Sequence, residues 1–164
     1  MNDPMTRQEG IEKIAELVKE IRTAMLVTSD ANGIPHSRPM STQSTPFDGT
    51  LWFFTADDSG KIHDLEHNNR VNVTYASKSE SYLSVSGSAE VVKDSALIHA
   101  MWSPLLKAWF EGPEDPRLCL LRVDVDEAEY WDTPGGRVVS LLLLIKGAIT
   151  GKGDDMGQHG HVRL

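Results

Sequence analysis

The sequence predicts an α+β fold: a six-stranded antiparallel barrel with helices at its ends and between its hairpins. Three observations carry this. One stripe of apolar residues at helical spacing opens the chain, and six segments of period-two alternation follow. The helical patterns between those segments are short, as connections in an antiparallel barrel are. There is also no internal repeat and no linker long enough to divide two domains, so residues 1–164 read as one domain.

Thr6-Arg7-Gln8-Glu9 has the spacing of a capping box, and Ile11, Ile14, Leu17, Val18 and Ile21 follow on one face, predicting a helix over 7–22. Ala24 to Ser29 alternates as a strand, Ala31-Asn32-Gly33 turns, and Ile34 to Gln43 returns. Pro35 and Pro39 lack N–H donors, which places the return strand at an edge or a bulge. Leu51 to Ala56 is the third strand. Ser59 is placed to cap a short helix ending near Asn68. Arg70 to Ser77 and Tyr82 to Val92 alternate cleanly. Asp94 caps a helix carrying Leu97, Ile98 and Met101, and Ser103-Pro104 starts a further turn through Trp109-Phe110. Leu118 to Trp131 completes the barrel over 24–133. The length of Val138 to Thr150 and its run Leu141 to Leu144 favour a helix over a strand there.

Composition narrows the function. The 164 residues are 40% hydrophobic, enough for one core, and carry a net charge of -8 from 16 basic and 24 acidic side chains. No cluster of Lys and Arg marks a nucleic-acid surface. Cys119 is the single cysteine, so an intrachain disulfide and a Cys-x-x-Cys motif are both excluded. The polar opening MNDPMTRQEG lacks the apolar core of a signal peptide, and the apolar stretch Val138 to Ile145 is too short for a bilayer, which takes about 20 residues. A soluble, cytoplasmic protein with no membrane and no nucleic-acid partner is expected.

The segment after the third strand holds the clearest chemistry. Phe53-Phe54-Thr55 ends a strand and Ser59-Gly60-Lys61 opens a helix. Free amides at a helix start favour an anion, Gly60 allows close approach, and Lys61 adds a full charge. Arg38, on the neighbouring hairpin, is within reach of the same phosphate. The same residues also fit an ordinary capped helix with a solvated lysine.

Several strings taken together resemble the general stress protein 26 family, which belongs to the FMN-binding split barrels related to pyridoxamine 5'-phosphate oxidase. They are Met25-Leu26-Val27-Thr28, His36-Ser37-Arg38-Pro39-Met40, Leu51-Trp52-Phe53-Phe54-Thr55, Tyr82 to Gly87, Leu105 to Phe110, and Ala128 to Asp132. The resemblance runs from about Ile11 to Val162-Arg163-Leu164. It implies a six-stranded split β-barrel and a homodimer with two FMN sites at its interface. It also implies Arg38 on the FMN phosphate, Pro39 and Met40 bringing backbone to the flavin ring, and Gln43 as a polar side chain near that ring. Phe54-Thr55 matches an aromatic-Thr pair, and Ser59 and Lys61 the phosphate site. The Arg-Lys pair of the oxidases matches Gly60-Lys61, so one phosphate Arg is missing. Trp109 and Phe110 are candidates to cover the flavin of the partner subunit, or to pack at the interface. Trp131 matches a position at the flavin edge. The oxidases carry Arg-x-His after the last strand, where this chain reads Arg137-Val138-Val139. Valine has no proton to donate, which argues against pyridoxamine 5'-phosphate oxidase activity.

Other constellations are weaker. His63 and His67 are four apart but have no third metal ligand nearby, and Ser84 and Ser86 have no partnered His. Glu90, Asp124, Asp126, Glu127 and Glu129 alternate as a wet sheet face, His159 and His161 read as a solvated end, and Cys119 as a core residue. No side chain stands out as a general acid or base. An FMN-dependent oxidoreductase, a non-catalytic flavin-binding stress or sensor module, and a dimer with a vestigial cleft all remain open; haem and deazaflavin are minor options.

Overall fold

The computed structural model describes residues 6–132 and 158–164. The chain opens with α1, Arg7–Ile21, held at its start by the predicted capping box: the Glu9 amide donates to Thr6 Oγ1 at 3.3 Å and the Thr6 amide to the Glu9 carboxylate at 2.8 Å. Six strands fall within two residues of the predicted bounds. They are β1 (Thr23–Ser29), β2 (Pro35–Ser41), β3 (Thr50–Ala56), β4 (Arg70–Ala76), β5 (Tyr82–Val92) and β6 (Leu118–Asp132). Between them lie α2 (Gly60–His67), α3 (Ser95–Met101) and a 3₁₀ turn at Pro104–Ala108. Asp94 caps α3 by accepting from the Leu97 amide at 3.0 Å.

The strands form one antiparallel sheet in the order β2-β1-β4-β5-β6-β3. β2 stands at one end of that path, where Pro35 and Pro39 cost no ladder bonds to a further strand. The two ends of the path touch at one bridge, Thr42 to Phe53, with the Gln43 amide donating to the Trp52 carbonyl at 2.9 Å. The sheet therefore curls toward closure but stays split along most of the β2–β3 seam.

A seventh strand, β7 (Gln158–Arg163), was not expected: His159 and His161 are exposed, as the reading of a solvated end implies, but their backbone pairs with β6. β6 is long enough that β3 covers only Leu118 to Asp124 on one edge, and β7 pairs with Glu127 to Asp132 beyond it. An open edge of that length is a ready template for pairing. The bonds that hold β7 are main-chain bonds, so His-Gly-His carries no apolar alternation to announce them. Its buried anchor is Val162, seated on Gly10 of α1, where an added Cβ would lie 2.4 Å from Val162 Cγ1. The element predicted at 138–150 falls outside the described residues.

Two apolar clusters position the site. The larger fills the barrel with Leu26, Phe53, Val73, Tyr75, Val85 and Leu121 under Ile14 and Leu17 of α1. The smaller joins Phe54, Ile98, Leu118 and Leu120 outside the barrel and packs Trp102, Leu106 and Phe110 against it. β3 feeds both clusters, Phe53 facing one and Phe54 the other, and Phe54 meets Trp102 edge-on at 6.3 Å. Among the described residues, no helix is long and apolar enough to cross a membrane.

Candidate functional site: a cationic cleft beside the barrel seam

The split between β2 and β3 opens into a cleft of about 480 Å³. Its inner wall is the end of β2 and the residues after it, Pro39, Met40, Ser41 and Gln43; its floor is Phe54 and Thr55 of β3. The outer wall is Leu106, Trp109 and Phe110, of which Leu106 and Phe110 pack on the smaller apolar cluster while Trp109 stays largely exposed. Lys61 of α2 and Arg117, just before β6, also line it.

Lys61 is the electrostatic centre. Its Nζ donates to Thr55 Oγ1 at 2.8 Å and Ser59 Oγ at 3.1 Å, and among the described residues it has no carboxylate partner. Burial, and then the neighbouring Arg38 charge, hold its ammonium below the ordinary lysine value. Ser59 occupies the N-cap position of α2 but its side chain does not cap the helix, which corrects the sequence expectation. The hydroxyl turns to Lys61 and Thr55 instead, because a half-buried ammonium is the stronger donor. The first amides of α2 are thereby left without a side-chain acceptor.

Arg38 stands beside Lys61 but not on the cleft surface. Its Nη1 donates to Thr28 Oγ1 at 2.5 Å and its Nη2 to Asp64 Oδ2 at 3.3 Å, while the Thr28 hydroxyl donates to the same carboxylate oxygen at 2.5 Å. Thr28 and Asp64 are both buried. Trp131 lies at the opposite end of β6 from the cleft, 41% exposed, stacked on His159 at 5.2 Å and paired in register with Tyr82. Within one chain, then, Pro39, Met40, Gln43, Phe54, Thr55, Lys61 and Trp109 share the cleft, Ser59 and Arg38 support it, and Trp131 is remote.

With this geometry in view, residues 9–155 match the family described as pyridoxamine 5'-phosphate oxidase like. The chain belongs to the pyridoxamine 5'-phosphate oxidase-like family. It is 32% identical to Protein bli-3 of Neurospora crassa over 156 residues, which covers 88% of this chain and 75% of that one. Its fold is similar to the general stress protein 26 of Bacillus anthracis (TM-score 0.67, 36% identity, 73% of this chain and 92% of that one). It is also similar to the general stress FMN/FAD binding protein of Xanthomonas citri (TM-score 0.65, 37% identity, 76% of this chain and 89% of that one).

Three residues of this pyridoxamine 5'-phosphate oxidase-like chain were given no role in the sequence analysis: Arg117, Asp64 and Thr28. Thr28 belongs to one of the family-like strings, but Arg117 and Asp64 sit in none. Asp64 even lies three residues from Lys61 on α2, the spacing of an ordinary surface ion pair. Arg117 follows Pro116, and its Nε and Nη2 hold Asp115 at 3.3 and 3.0 Å. The Arg117 side chain and amide, with the Glu111 amide, lower the Asp115 carboxyl to about 2. A depressed carboxylate stabilises the fold above its unfolded pKa and loses that contribution as pH falls. The melting temperature of Asp115→Asn is therefore expected below wild type at pH 5, with the gap closing between pH ~4 and ~2. A gap that is constant across that range would contradict the assignment.

The remaining candidates are not reactive. Cys119 is buried, its thiol donates to the Thr55 carbonyl at 3.4 Å, and burial pushes it up to about 11, so no thiolate nucleophile exists near neutrality. His63 and His67 are exposed, and among the described residues no three His, Cys, Asp or Glu side chains converge as a metal site. Arg137-Val138-Val139 lies outside the described residues.

Proposed function

We propose that this chain is an FMN-binding flavoprotein of the general stress type, acting in the cytoplasm as a homodimer and serving as a flavin-dependent oxidoreductase. The carrying observation is Lys61: a half-buried ammonium that, among the described residues, is satisfied only by two hydroxyls, at a helix start, inside a cleft walled by Phe54, Trp109 and Phe110. Such a group calls for an anion, and the walls suit a flat aromatic body. A cleft of about 480 Å³ lies in the range that holds a compact cofactor. The Xanthomonas citri protein, 37% identical, is named for binding FMN/FAD, which supports the same ligand here.

Flavin, when bound, supplies the electron or hydride chemistry. The chain's own residues do the rest. Lys61, Ser59 and the first α2 amides hold the phosphate, with the Arg38 charge behind them. Pro39, Met40 and Gln43 orient the ring, and Trp109 with Phe110 exclude water from it. Trp131, remote from the cleft of its own chain, reaches a flavin only across a dimer interface, where the partner's Trp131 meets the ring edge.

One observation favours a second reading, a flavin-binding module without turnover. Among the described lining residues the only ionisable side chains are Lys61 and Arg117, so no carboxylate or imidazole is placed to relay a proton. Reconstituting the protein with FMN and mixing it anaerobically with NADH or NADPH separates the two. Bleaching of the bound flavin supports the oxidoreductase; tight binding with no bleaching supports the module. A chain that fails to quench FMN fluorescence refutes both.

A further inference from the structure

The α2 helix carries two charges three residues apart, Lys61 and Asp64, and they do not pair with each other. Asp64 turns inward and is buried against Arg38, while Lys61 is left to two hydroxyls. Thr28 closes a triangle, accepting from Arg38 Nη1 and donating to Asp64 Oδ2. We infer that Asp64 and Thr28 are positioning residues that hold the Arg38 guanidinium beside Lys61, and so set the preference of the cleft for phosphorylated over unphosphorylated ligands. The inference rests on the flavin reading above and assigns roles to two residues that it does not use.

The chemistry of the triangle supports this. The triangle uses two of the five guanidinium N–H groups to fix Arg38 just behind Lys61, so its charge reaches an anion held by Lys61 through space rather than by contact. Arg38 and Lys61 carry like charges and sit close enough that Arg38 is the main Coulombic influence lowering Lys61. Holding two cations together is unfavourable unless something fixes them or an anion joins them. Asp64 balances one of the two, so the cluster keeps one uncompensated positive charge toward the cleft. Thr28 and Asp64 are both buried and belong to different elements, β1 and α2, so the guanidinium is fixed by the fold rather than by its own flexible stem. A fixed guanidinium loses little rotamer freedom when the anion arrives.

The experiment is a pair of fluorescence titrations, with FMN and with riboflavin, on the full chain and four variants. Wild type is expected to prefer FMN. Asp64→Ala is expected to weaken FMN about 10-fold and leave riboflavin unchanged, since a loosened guanidinium no longer holds its charge behind Lys61. Thr28→Val should shift the ratio the same way by less. Asp64→Asn and Thr28→Ser, which keep an oxygen in place, should restore most of it. An FMN-to-riboflavin ratio that is unchanged or raised in Thr28→Val, with circular dichroism confirming the fold, overturns the inference even if Asp64→Ala does not fold. A wild-type chain that binds both flavins equally refutes the phosphate reading itself, a result separate from any variant.

Discussion

Replacing Lys61 with Met is expected to weaken FMN binding about 10- to 150-fold, the worth of one charge-assisted contact of about 1.5–3 kcal/mol. Met keeps the length and the apolar stem, so the walls of the cleft should survive. Riboflavin, which lacks the phosphate, should bind the variant nearly as it binds wild type. The pH dependence sharpens the test. Lys61 is held below the usual lysine value, so its folded state sheds a proton at a lower pH than the unfolded chain does. Without ligand, that makes the fold gain stability as pH rises through the Lys61 pKa toward 10.5. With FMN the sign reverses for binding, because the phosphate needs the ammonium: affinity should fall as pH rises through the same range. In Lys61→Met the alkaline fall should disappear. Equal FMN affinity in variant and wild type would remove Lys61 from the phosphate site.

Gly87→Ala is expected to cost about 3 kcal/mol, at the upper end of ordinary overpacking, because the clash is with main chain. A Cβ there would stand 2.1 Å from the Asp124 carbonyl oxygen and 3.2 Å from Val125 Cα. No rotamer relieves it. The register between β5 and β6 shifts between Ser86 and Gly87, so this is the point where β6 bends relative to its neighbour. β6 carries β3 on one side of that bend and β7 on the other. Disturbing it should therefore reach the cleft floor at Phe54 and Thr55 as well as the terminal strand. Urea unfolding read by tryptophan fluorescence would show a lower midpoint; an unchanged midpoint would mean that the β5–β6 approach at this bulge is looser than described.

Local patterns made most of the barrel legible. Alternation along Tyr82 to Val92 gave its bounds without error, and the prolines of β2 announced an edge strand that the sheet order bears out. The site was legible where residues cluster in sequence, as Phe54, Thr55, Ser59 and Lys61 do. It was not where contacts bridge distant segments. Asp64 gives no sign that it faces Arg38 rather than solvent. Arg117 lines the cleft because pairing across distant segments sets it there, with the Asp57 amide donating to its carbonyl at 2.8 Å and Leu118 in register with Ala56. β7 was unreadable because strand pairing uses the backbone, which every sequence has.

The sequence by itself determined α1 and the first six strands, the edge position of β2, the burial of Cys119 and the placement of a lysine at a helix start, since these follow from periodicity, missing N–H donors and local composition. Only the tertiary structure decided what the charges do. Whether Lys61 is a solvated tip or a half-buried cation, and whether Asp64 pairs along its own helix or across to β2, depends on which segments pack together. Desolvation and Coulomb energies vary with that packing, and no local pattern encodes it.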